Sequence, residues 1–281
     1  MKLLLLGRTG QVGGALLPLL EPLGQVVAPG RAQADLSAPE SLRSLVRECA
    51  PDVIVNAAAY TAVDKAESEP GLAHAVNAAS VGVLAEEAAE RNVLLVHYST
   101  DYVFDGTKRT PYVEDDATGP LGVYGRTKLE GERAVLASGC RHVILRTSWV
   151  YASTGKNFLL TILRLASAGK PLRIVADQRG APTTARNLAR LTRDILQAGG
   201  FPAGIYHATA GGETTWHGFA CEILRGTGST LEVQPITTEE YPVPARRPAY
   251  SVLDNAKLVS ALGRRMPDWQ DQLREELSCL A

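Results

Sequence analysis

The chain has 281 residues, a length that fits one large α/β domain or two smaller ones. Its 29 basic and 30 acidic residues give a formal net charge of -1, so no excess of positive charge points to nucleic acid or to an anionic membrane. The four cysteines have no metal-ligand spacing, and the N-terminal apolar run is too short for a signal peptide or a membrane span. We therefore expect a cytoplasmic protein without a disulfide framework.

The first predicted element is an apolar strand that ends at Leu6 and runs into a glycine-rich turn, followed by a helical stretch. Glycines stand at positions 7, 10 and 13. Glycine lets the backbone approach a pyrophosphate closely, and the N-terminus of a helix presents unpaired N–H groups to it. The turn therefore predicts a dinucleotide site, although a tight strand-to-helix turn without any ligand could show the same glycines.

Further strands and helices alternate along the first half of the chain. Apolar strands are predicted over 25–28, 52–56, 93–98 and 143–146, with a helix near 41–49 that starts at Pro39 and Glu40. Continuous apolar strands are buried on both faces, which predicts an α/β fold with a Rossmann-type, doubly wound parallel sheet. Beyond Trp149 glycine and proline become more frequent, and the segments 214–225 and 268–277 have patterns typical of isolated amphipathic helices.

The regular alternation of strands and helices thus ends near Trp149, which suggests two domains. We predict a dinucleotide-binding domain over 1–148, completed by about 183–208. A smaller α/β substrate-binding domain is predicted over about 149–182 and 209–281.

A tyrosine and a lysine, Tyr124 and Lys128, lie four residues apart and so share one face of a helix, where an ammonium can lower the pKa of a phenol. Alone, such a pair is as typical of a solvated helix face. Its position in the chain adds weight, because Thr100 ends a predicted buried strand at the edge where open α/β sheets bind ligands. Tyr124 then opens the helix after the next loop. The glycine turn and this pair together predict hydride transfer.

These features, with the sequence Asn-Ala-Ala-Ala over 56–59, resemble the extended short-chain dehydrogenase/reductase superfamily. Longer segments are similar to the dTDP-4-dehydrorhamnose reductase family, over essentially the whole chain; they are 56–67, 97–104, 146–151, 177–183, 211–216 and 247–251. The resemblance implies reduction of the 4-keto group of dTDP-4-dehydro-β-L-rhamnose by a nicotinamide cofactor, the last step of dTDP-L-rhamnose synthesis.

The same resemblance implies roles for single residues. Tyr124 donates the proton, Lys128 lowers the pKa of Tyr124 and holds the nicotinamide ribose, and Thr100 binds the carbonyl oxygen. Asp101 touches the substrate. Trp149 packs against it, unless it is a core tryptophan, and Arg247 binds its diphosphate, unless it is a surface arginine. The cofactor contacts implied are Gly7, Gly10, Gln11, Val12, Gly13, Asp35, Leu36, Ala59, Tyr60, Thr61, Tyr98, Tyr124 and Lys128.

The chain departs from the family pattern in the choice of cofactor. Arg31 follows the second strand, where a domain that prefers NAD places an acid on the adenosine ribose. A guanidinium suits a 2′-phosphate, so we predict NADPH as the cofactor, with NADH as an alternative donor. The other interpretation of Arg31 is an exposed loop arginine.

A second departure concerns magnesium. Some relatives are thought to dimerise through magnesium held by glutamates, and the corresponding positions here are Ala15 and Arg186. Neither side chain supplies an oxygen ligand, so we predict no resident metal and no metal-linked dimer. Magnesium at the substrate diphosphate stays open, as does the choice between a monomer and a homodimer.

Three other functions compete. The first is a non-catalytic NADP-binding regulatory subunit, similar to the β subunit of methionine adenosyltransferase; intact Thr100, Tyr124 and Lys128 argue against it. The second is an epimerase or dehydratase of the extended superfamily. Dehydratases add acidic residues beside the catalytic threonine, and Asp101 alone is not that pair. A structural scaffold, the third, leaves the glycine turn unexplained.

Overall fold

The computed structural model describes residues 1–169 and 171–280. Its strands are β1 (Lys2–Leu6), β2 (Gln25–Val27), β3 (Val53–Asn56), β4 (Leu94–Thr100), β5 (His142–Thr147), β6 (Val150–Tyr151), β7 (Leu172–Val175), β8 (Arg179–Gly180), β9 (Thr183–Thr184), β10 (Gly204–His207), β11 (Thr214–Thr215) and β12 (Val233–Ile236). Its helices are α1 (Gln11–Leu20), α2 (Pro39–Cys49), α3 (Val63–Ala66), α4 (Pro70–His74), α5 (Ser80–Glu90), α6 (Val123–Ser138), α7 (Phe158–Ser167), α8 (Ala185–Gln197), α9 (Trp216–Gly226), α10 (Ala256–Leu262) and α11 (Trp269–Ser278). Helical turns also cover Glu21–Leu23, Ala75–Ala79 and Asp101–Val103.

The largest sheet has six strands in the order β10-β5-β4-β3-β1-β2, and all of its neighbours pair in parallel. This arrangement confirms the predicted Rossmann-type, doubly wound α/β fold. The order reverses at β1, because β2 lies on one side of it and β3 on the other. In sheets of this kind ligands bind at the carboxyl ends of the strands beside that reversal, which is where the glycine turn begins.

Two helical layers cover the sheet because consecutive strand residues point to opposite faces. Leu3 and Leu5 of β1 pack with α1 and α8, whereas Leu4 and Leu6 pack with α2 and α5. All four leucines are fully buried. Complete burial of such a side chain contributes roughly 1.5–3 kcal/mol, so the apolar run at the N-terminus is a main source of the stability of the sheet.

The second half of the chain contributes to both parts of the molecule. Segment 183–208 supplies α8, which packs against α1, and β10, which pairs with β5 at the edge of the large sheet. A separate apolar cluster joins α7, α9 and α11, and the helices predicted near 214–225 and 268–277 are confirmed as α9 and α11. The division of the chain into two domains stays a prediction. No helix among the described residues has both the length and the apolar composition to cross a membrane.

Helix α1 lies so close to the turn before it that one position has room only for glycine. A Cβ on Gly13 would stand 2.1 Å from the carbonyl oxygen of Gly7, a backbone atom that cannot swing away. On the next residue, Gly14, a Cβ would meet nothing nearer than the Arg8 carbonyl oxygen at 3.5 Å, an ordinary contact.

We therefore expect Gly13→Ala to lower the free energy of unfolding by on the order of 1–3 kcal/mol, the usual cost of forcing atoms into a packed space. Gly14→Ala should leave that free energy unchanged or raise it by up to about 1 kcal/mol, because alanine favours a helix interior. Urea denaturation of both variants compares the two positions. Equal effects would contradict the close approach of α1.

Candidate active site

The glycine turn after β1 has the backbone geometry of an anion site. Gly7 has φ +86°, and a Cβ there would lie 2.6 Å from the amide nitrogen of Ala58, which follows β3. Gly10 caps helix α1 without any side-chain hydrogen bond, and the first turn of that helix holds no acidic residue. Unpaired N–H groups and the positive end of the helix dipole therefore face outward at this point.

A cavity of about 440 Å³ begins at this turn and follows the carboxyl edge of the sheet. Nearly all of the predicted cofactor residues line it, namely Gly7, Gly10, Gln11, Val12, Arg31, Asp35, Leu36, Ala59, Tyr60, Thr61, Tyr98, Tyr124 and Lys128. Gly13 is the exception: it packs helix α1 against Gly7, and the cofactor contact expected of it stays a prediction. The cavity therefore extends from the glycine turn to Tyr124 and Lys128.

Tyr124 is the second residue of α6 and borders the cavity. Burial raises the pKa of its phenol to about 12, while the nearby Thr100 hydroxyl lowers it and the charge of Asp101 raises it. We expected the Lys128 ammonium to lower the pKa of Tyr124, and the structure corrects this. The amino group of Lys128 is directed to other partners, so desolvation dominates at the phenol.

Those partners are on strand β4. Lys128 Nζ donates to the carbonyl oxygen of Tyr98 at 2.6 Å and lies 3.2 Å from His97 Nε2. Only 2% of Lys128 is exposed, and burial lowers the pKa of its ammonium to about 8. Burial and the neighbouring Lys128 also hold the pKa of His97 well below its usual range. His97 is therefore neutral and can accept a hydrogen bond from the ammonium.

Thr100 ends β4 and is buried beside the phenol, as the sequence predicted. Its hydroxyl donates to Asp101 Oδ1 at 3.0 Å and accepts from the backbone N–H of Tyr102 at 3.2 Å. Neither Thr100 nor Asp101 lines the 440 Å³ cavity.

Trp149, predicted to pack on the substrate, is packed within the protein. Its ring stacks on the ring of Trp216 at 3.6 Å between centroids and 10° between planes. A Cβ on Gly180 would lie 2.6 Å from Trp149 Cε2, so this residue covers the other side of the indole. The backbone of Trp149 has φ +48°, which is uncommon for a bulky residue and is often found at functional sites.

Arg247, predicted to bind the substrate diphosphate, already holds a carboxylate. Its Nη2 lies 2.8 Å from Asp64 Oδ2 and its Nη1 lies 3.0 Å from Asp64 Oδ1. The Asp64 carboxylate thus engages one N–H of each Nη atom, and the contact of Arg247 with a diphosphate stays a prediction. A diphosphate that used the same two donors would require this pair to open.

The opposite end of the cavity carries positive charge. Arg31 lines the cavity with 79% of its side chain exposed, and its Nε is 3.8 Å from Asp35 Oδ1. Asp35 is itself held by Ser37, which donates to it through the backbone N–H at 2.9 Å and the hydroxyl at 2.8 Å. Arg8 lines the same end, with its guanidinium 3.7 Å from the place of a Cβ on Gly30.

Comparison with known proteins agrees with this geometry. A family model described as the RmlD substrate binding domain matches residues 1–281. A dTDP-4-dehydrorhamnose reductase of Burkholderia thailandensis is 50% identical over 96% of this chain and 96% of its own length. The dTDP-4-dehydrorhamnose reductase of Escherichia coli strain K12 is 45% identical over 99% of this chain and 97% of its own. The chain belongs to the dTDP-4-dehydrorhamnose reductase family.

Solved structures of the family share the whole fold. A dTDP-4-dehydrorhamnose reductase from Clostridium acetobutylicum is 38% identical, with a TM-score of 0.95 that covers 100% of this chain and 99% of that one. One from Bacillus anthracis, in complex with NADP, is 32% identical, with a TM-score of 0.94 that covers 99% of this chain and 98% of that one. A Thermus thermophilus UDP-glucose 4-epimerase in complex with NAD, at 22% identity and a TM-score of 0.82, shares the fold alone.

Sequence reasoning missed several residues at the site. Ser99 and Thr147 line the cavity, are almost fully buried, and have hydroxyl oxygens without a hydrogen-bond partner. His97 holds Lys128, and Arg8 adds a second guanidinium beside Arg31. Arg8 carried a usable signal, since it lies inside the glycine turn. The others lie in strands of apolar pattern, where nothing local separates a buried functional side chain from a core residue.

The two positions discussed for magnesium lie apart from the cavity lining. Ala15 is on α1, and Arg186 is at the start of α8, where its Nε contacts Glu276 Oε2 at 3.3 Å. In residues 1–169 and 171–280 no three histidine, cysteine, aspartate or glutamate side chains cluster as metal ligands. The absence of a metal-linked dimer stays a prediction.

The buried ammonium of Lys128 generates a pH prediction. Between pH 8 and 10.5 the unfolded chain carries a proton on this lysine that the folded chain lacks, so the stability of the wild type rises with pH across that window. Lys128→Met removes this contribution. The free energy of unfolding of the variant, relative to wild type, should therefore fall by up to about 3 kcal/mol from pH 7 to pH 10.5.

Urea denaturation of the wild type and of Lys128→Met at several pH values measures the difference between their free energies of unfolding. Groups that titrate alike in both proteins cancel in this difference. A difference that stays constant across the window would show that Lys128 keeps an ordinary pKa in the folded protein.

Proposed function

We propose that this protein reduces the 4-keto group of dTDP-4-dehydro-β-L-rhamnose to give dTDP-L-rhamnose, with NADPH as the hydride donor. The observation that carries the proposal is the single cavity that joins a glycine-cradled helix N-terminus to Tyr124 and Lys128. Membership of a family whose relatives are named for this reaction supplies the substrate. The similarity of this chain to the Bacillus anthracis reductase, whose structure contains NADP, supports the choice of cofactor.

The residues present fit a nicotinamide dinucleotide. Gly7 and Gly10 leave the space that a pyrophosphate needs, and helix α1 points free N–H groups at it. At the other end of the cavity the unpaired hydroxyls of Ser99 and Thr147 offer donors and acceptors to a carboxamide. Buried polar groups are rarely left unpaired, so these two oxygens support a polar ligand at this end.

The chemistry at the substrate assigns a role to each buried group. The cofactor supplies a hydride to carbon 4, and negative charge then develops on the carbonyl oxygen. Tyr124, whose raised pKa keeps it protonated at neutral pH, donates its proton to that oxygen. Thr100 hydrogen-bonds the same oxygen and orients it. Lys128 holds the nicotinamide ribose and does not itself lower the pKa of the Tyr124 phenol.

Substrate contacts of the remaining residues belong to the same proposal. They include a contact between the sugar and Asp101, which lies next to Thr100. Trp149 and Arg247 reach the nucleotide or its diphosphate only if the stack with Trp216 and the pair with Asp64 rearrange. We propose that both contacts open on substrate binding, and that the protein works as a monomer or a homodimer without a resident metal.

The reaction is tested by following loss of NADPH absorbance with dTDP-4-dehydrorhamnose as substrate. Tyr124→Phe should lower kcat by at least about 10²-fold, the usual contribution of a general acid, and leave the affinity for NADPH unchanged. Tyr60→Phe is the matched control, because that phenol lines the same cavity and donates to Glu69 instead. Its kcat should stay close to wild type.

Near-normal turnover of Tyr124→Phe would mean that the proton comes from another group. Absence of any NADPH oxidation by the wild type, together with NADPH binding and capture of a second protein in a pull-down, would favour a regulatory subunit instead.

The two arginines at the adenosine end generate a prediction on cofactor choice. A charge-assisted contact with the 2′-phosphate is worth roughly 1.5–3 kcal/mol, or about 10–100-fold in affinity. Because Arg31 is largely exposed, Arg31→Ala should fall at the low end of that range, and the double variant with Arg8→Ala at the high end. Both should raise KM for NADPH and leave KM for NADH nearly constant.

The preference for NADPH should also shrink as ionic strength rises, since screening weakens exposed contacts. Arg109→Ala, an exposed arginine that does not line the cavity, serves as the control. Equal KM values for NADPH and NADH in the wild type would rule out the phosphate contact.

A further inference from the structure

Asp101 is a buried carboxyl whose second oxygen has no partner. Only 2% of the residue is exposed, and Asp101 Oδ2 makes no hydrogen bond. No lysine or arginine among residues 1–169 and 171–280 forms an ion pair with it, and Lys128 is directed to Tyr98 and His97. A carboxylate left in such surroundings is costly, so the acid form is favoured. Burial raises the pKa of Asp101 to about 7, and the Ser251 and Thr100 hydroxyls lower it by less.

One hydroxyl, that of Thr100, contacts the carboxyl and neighbours the phenol of Tyr124. Thr100 Oγ1 lies 3.0 Å from Asp101 Oδ1, and the same hydroxyl lowers the pKa of the phenol. The backbone N–H of Tyr102 donates to Thr100 Oγ1 at 3.2 Å and holds it in place. When Asp101 is in its acid form the bond between the two groups reverses, so that the carboxyl donates to Thr100 Oγ1 and the Thr100 hydroxyl can donate to Tyr124.

The charged and titratable groups around the carboxyl are few. Tyr102, on the same helical turn as Asp101, is a buried phenol with a pKa above its usual value. Tyr124 faces it from α6, and Ser251 faces it from the C-terminal part of the chain. Arg247 lies beyond Tyr102 and is paired with Asp64. Among the described residues near this group, Asp101 is thus the acid best placed to reach the Tyr124 oxygen.

We propose that Asp101, in its acid form, returns a proton to Tyr124 through the Thr100 hydroxyl after each turnover. The proposal rests on the proposed function, because Tyr124 must first lose its proton to the substrate oxygen. It assigns Asp101 a task besides any contact with the sugar, and it gives Thr100 a second role as the bridge.

The step balances as a concerted shift of two protons. The O–H bond of Thr100 breaks and its proton forms a new O–H bond on the Tyr124 phenolate. At the same time the O–H bond of Asp101 breaks, and its proton restores the Thr100 hydroxyl. Asp101 is left as a carboxylate and takes a proton from solvent before the next cycle. Only protons move in this step, and no group is oxidised or reduced.

The charges of Asp101 and Tyr124 favour proton transfer from the carboxyl to the phenolate. A carboxylate at Asp101 raises the pKa of Tyr124, so a charged Asp101 opposes the phenolate that forms when the substrate is protonated. The acid form removes that repulsion while the phenolate exists. Because the pKa of the buried phenol is about 12 and that of Asp101 about 7, the proton moves to the stronger base.

The test separates the first turnover from later ones. Tyr124 is already protonated when the enzyme is mixed with NADPH and dTDP-4-dehydrorhamnose, so the first hydride transfer does not need the relay. In stopped-flow experiments at saturating dTDP-4-dehydrorhamnose, where weaker binding of the sugar does not limit the rate, Asp101→Asn should oxidise one NADPH per site at close to the wild-type rate. Its steady-state kcat should then be lower by at least about tenfold, the scale of a lost proton-transfer group.

Three comparisons sharpen the result. Thr100→Val breaks the bridge and also removes the hydrogen bond to the carbonyl oxygen, so it should slow both the first turnover and the steady state, whereas Thr100→Ser keeps a hydroxyl and should stay close to wild type in both. Asp105→Asn is the matched control, because that carboxylate is bound by Thr107 and Tyr112 away from the phenol. The wild-type kcat should also decline above about pH 7 as Asp101 ionises, and this decline should be absent in Asp101→Asn.

An equal slowing of the first turnover and of the steady state in Asp101→Asn would overturn the relay. So would a raised KM with unchanged kcat, the result expected if Asp101 only binds the sugar. If Asp101→Asn does not fold, the wild type carries the test, since its steady-state kcat should fall above about pH 7 while the rate of its first turnover stays constant; a first turnover that falls in parallel would overturn the relay. A wild type that oxidises no NADPH with this substrate would refute the proposed function itself.

Discussion

The buried ammonium of Lys128 is the interaction on which the site depends. It ties helix α6 to strand β4 through the Tyr98 carbonyl and the His97 imidazole. One turn of helix earlier on the same face is Tyr124, and one turn later is Glu132, which holds Arg146 of β5 through two contacts of 2.9 and 2.7 Å. Residues four apart share a helix face, so one stripe of α6 positions the phenol and anchors it to two strands.

Backbone contacts hold the same helix equally close. A Cβ on Gly125 would stand 2.2 Å from the Tyr102 carbonyl oxygen, and one on Gly131 would stand 2.2 Å from the Asn77 carbonyl oxygen. Glycine at these positions lets α6 lie directly against the helical turn after β4 and the helical turn before α5. The position of Tyr124 relative to the sheet edge is therefore determined by packing on several sides, which is how a proton donor is kept within reach of a small substrate.

Desolvation sets the protonation states of the groups near the phenol. Burial raises the pKa of Tyr124 and of Asp101 and lowers the pKa of His97 and of Lys128, so each group moves toward its neutral form. The other end of the cavity is different, because the side chains of Arg8 and Arg31 there are exposed to water. A low-charge end suits proton and hydride transfer, and an exposed cationic end suits an anionic phosphate.

The sequence by itself determined the sheet, the glycine turn, and the placement of Thr100, Tyr124 and Lys128, because each depends on local patterns. Strand burial follows from runs of apolar residues, and a shared helix face follows from a spacing of four. Only the tertiary structure decided which partners those side chains meet. Asp64 and Arg247 are 183 positions apart and Trp149 and Trp216 are 67 apart in the chain, so no local pattern could pair them. The pKa values depended in the same way on burial by distant segments, and Gly13 proved to be a packing residue because its neighbour across the turn is a backbone oxygen.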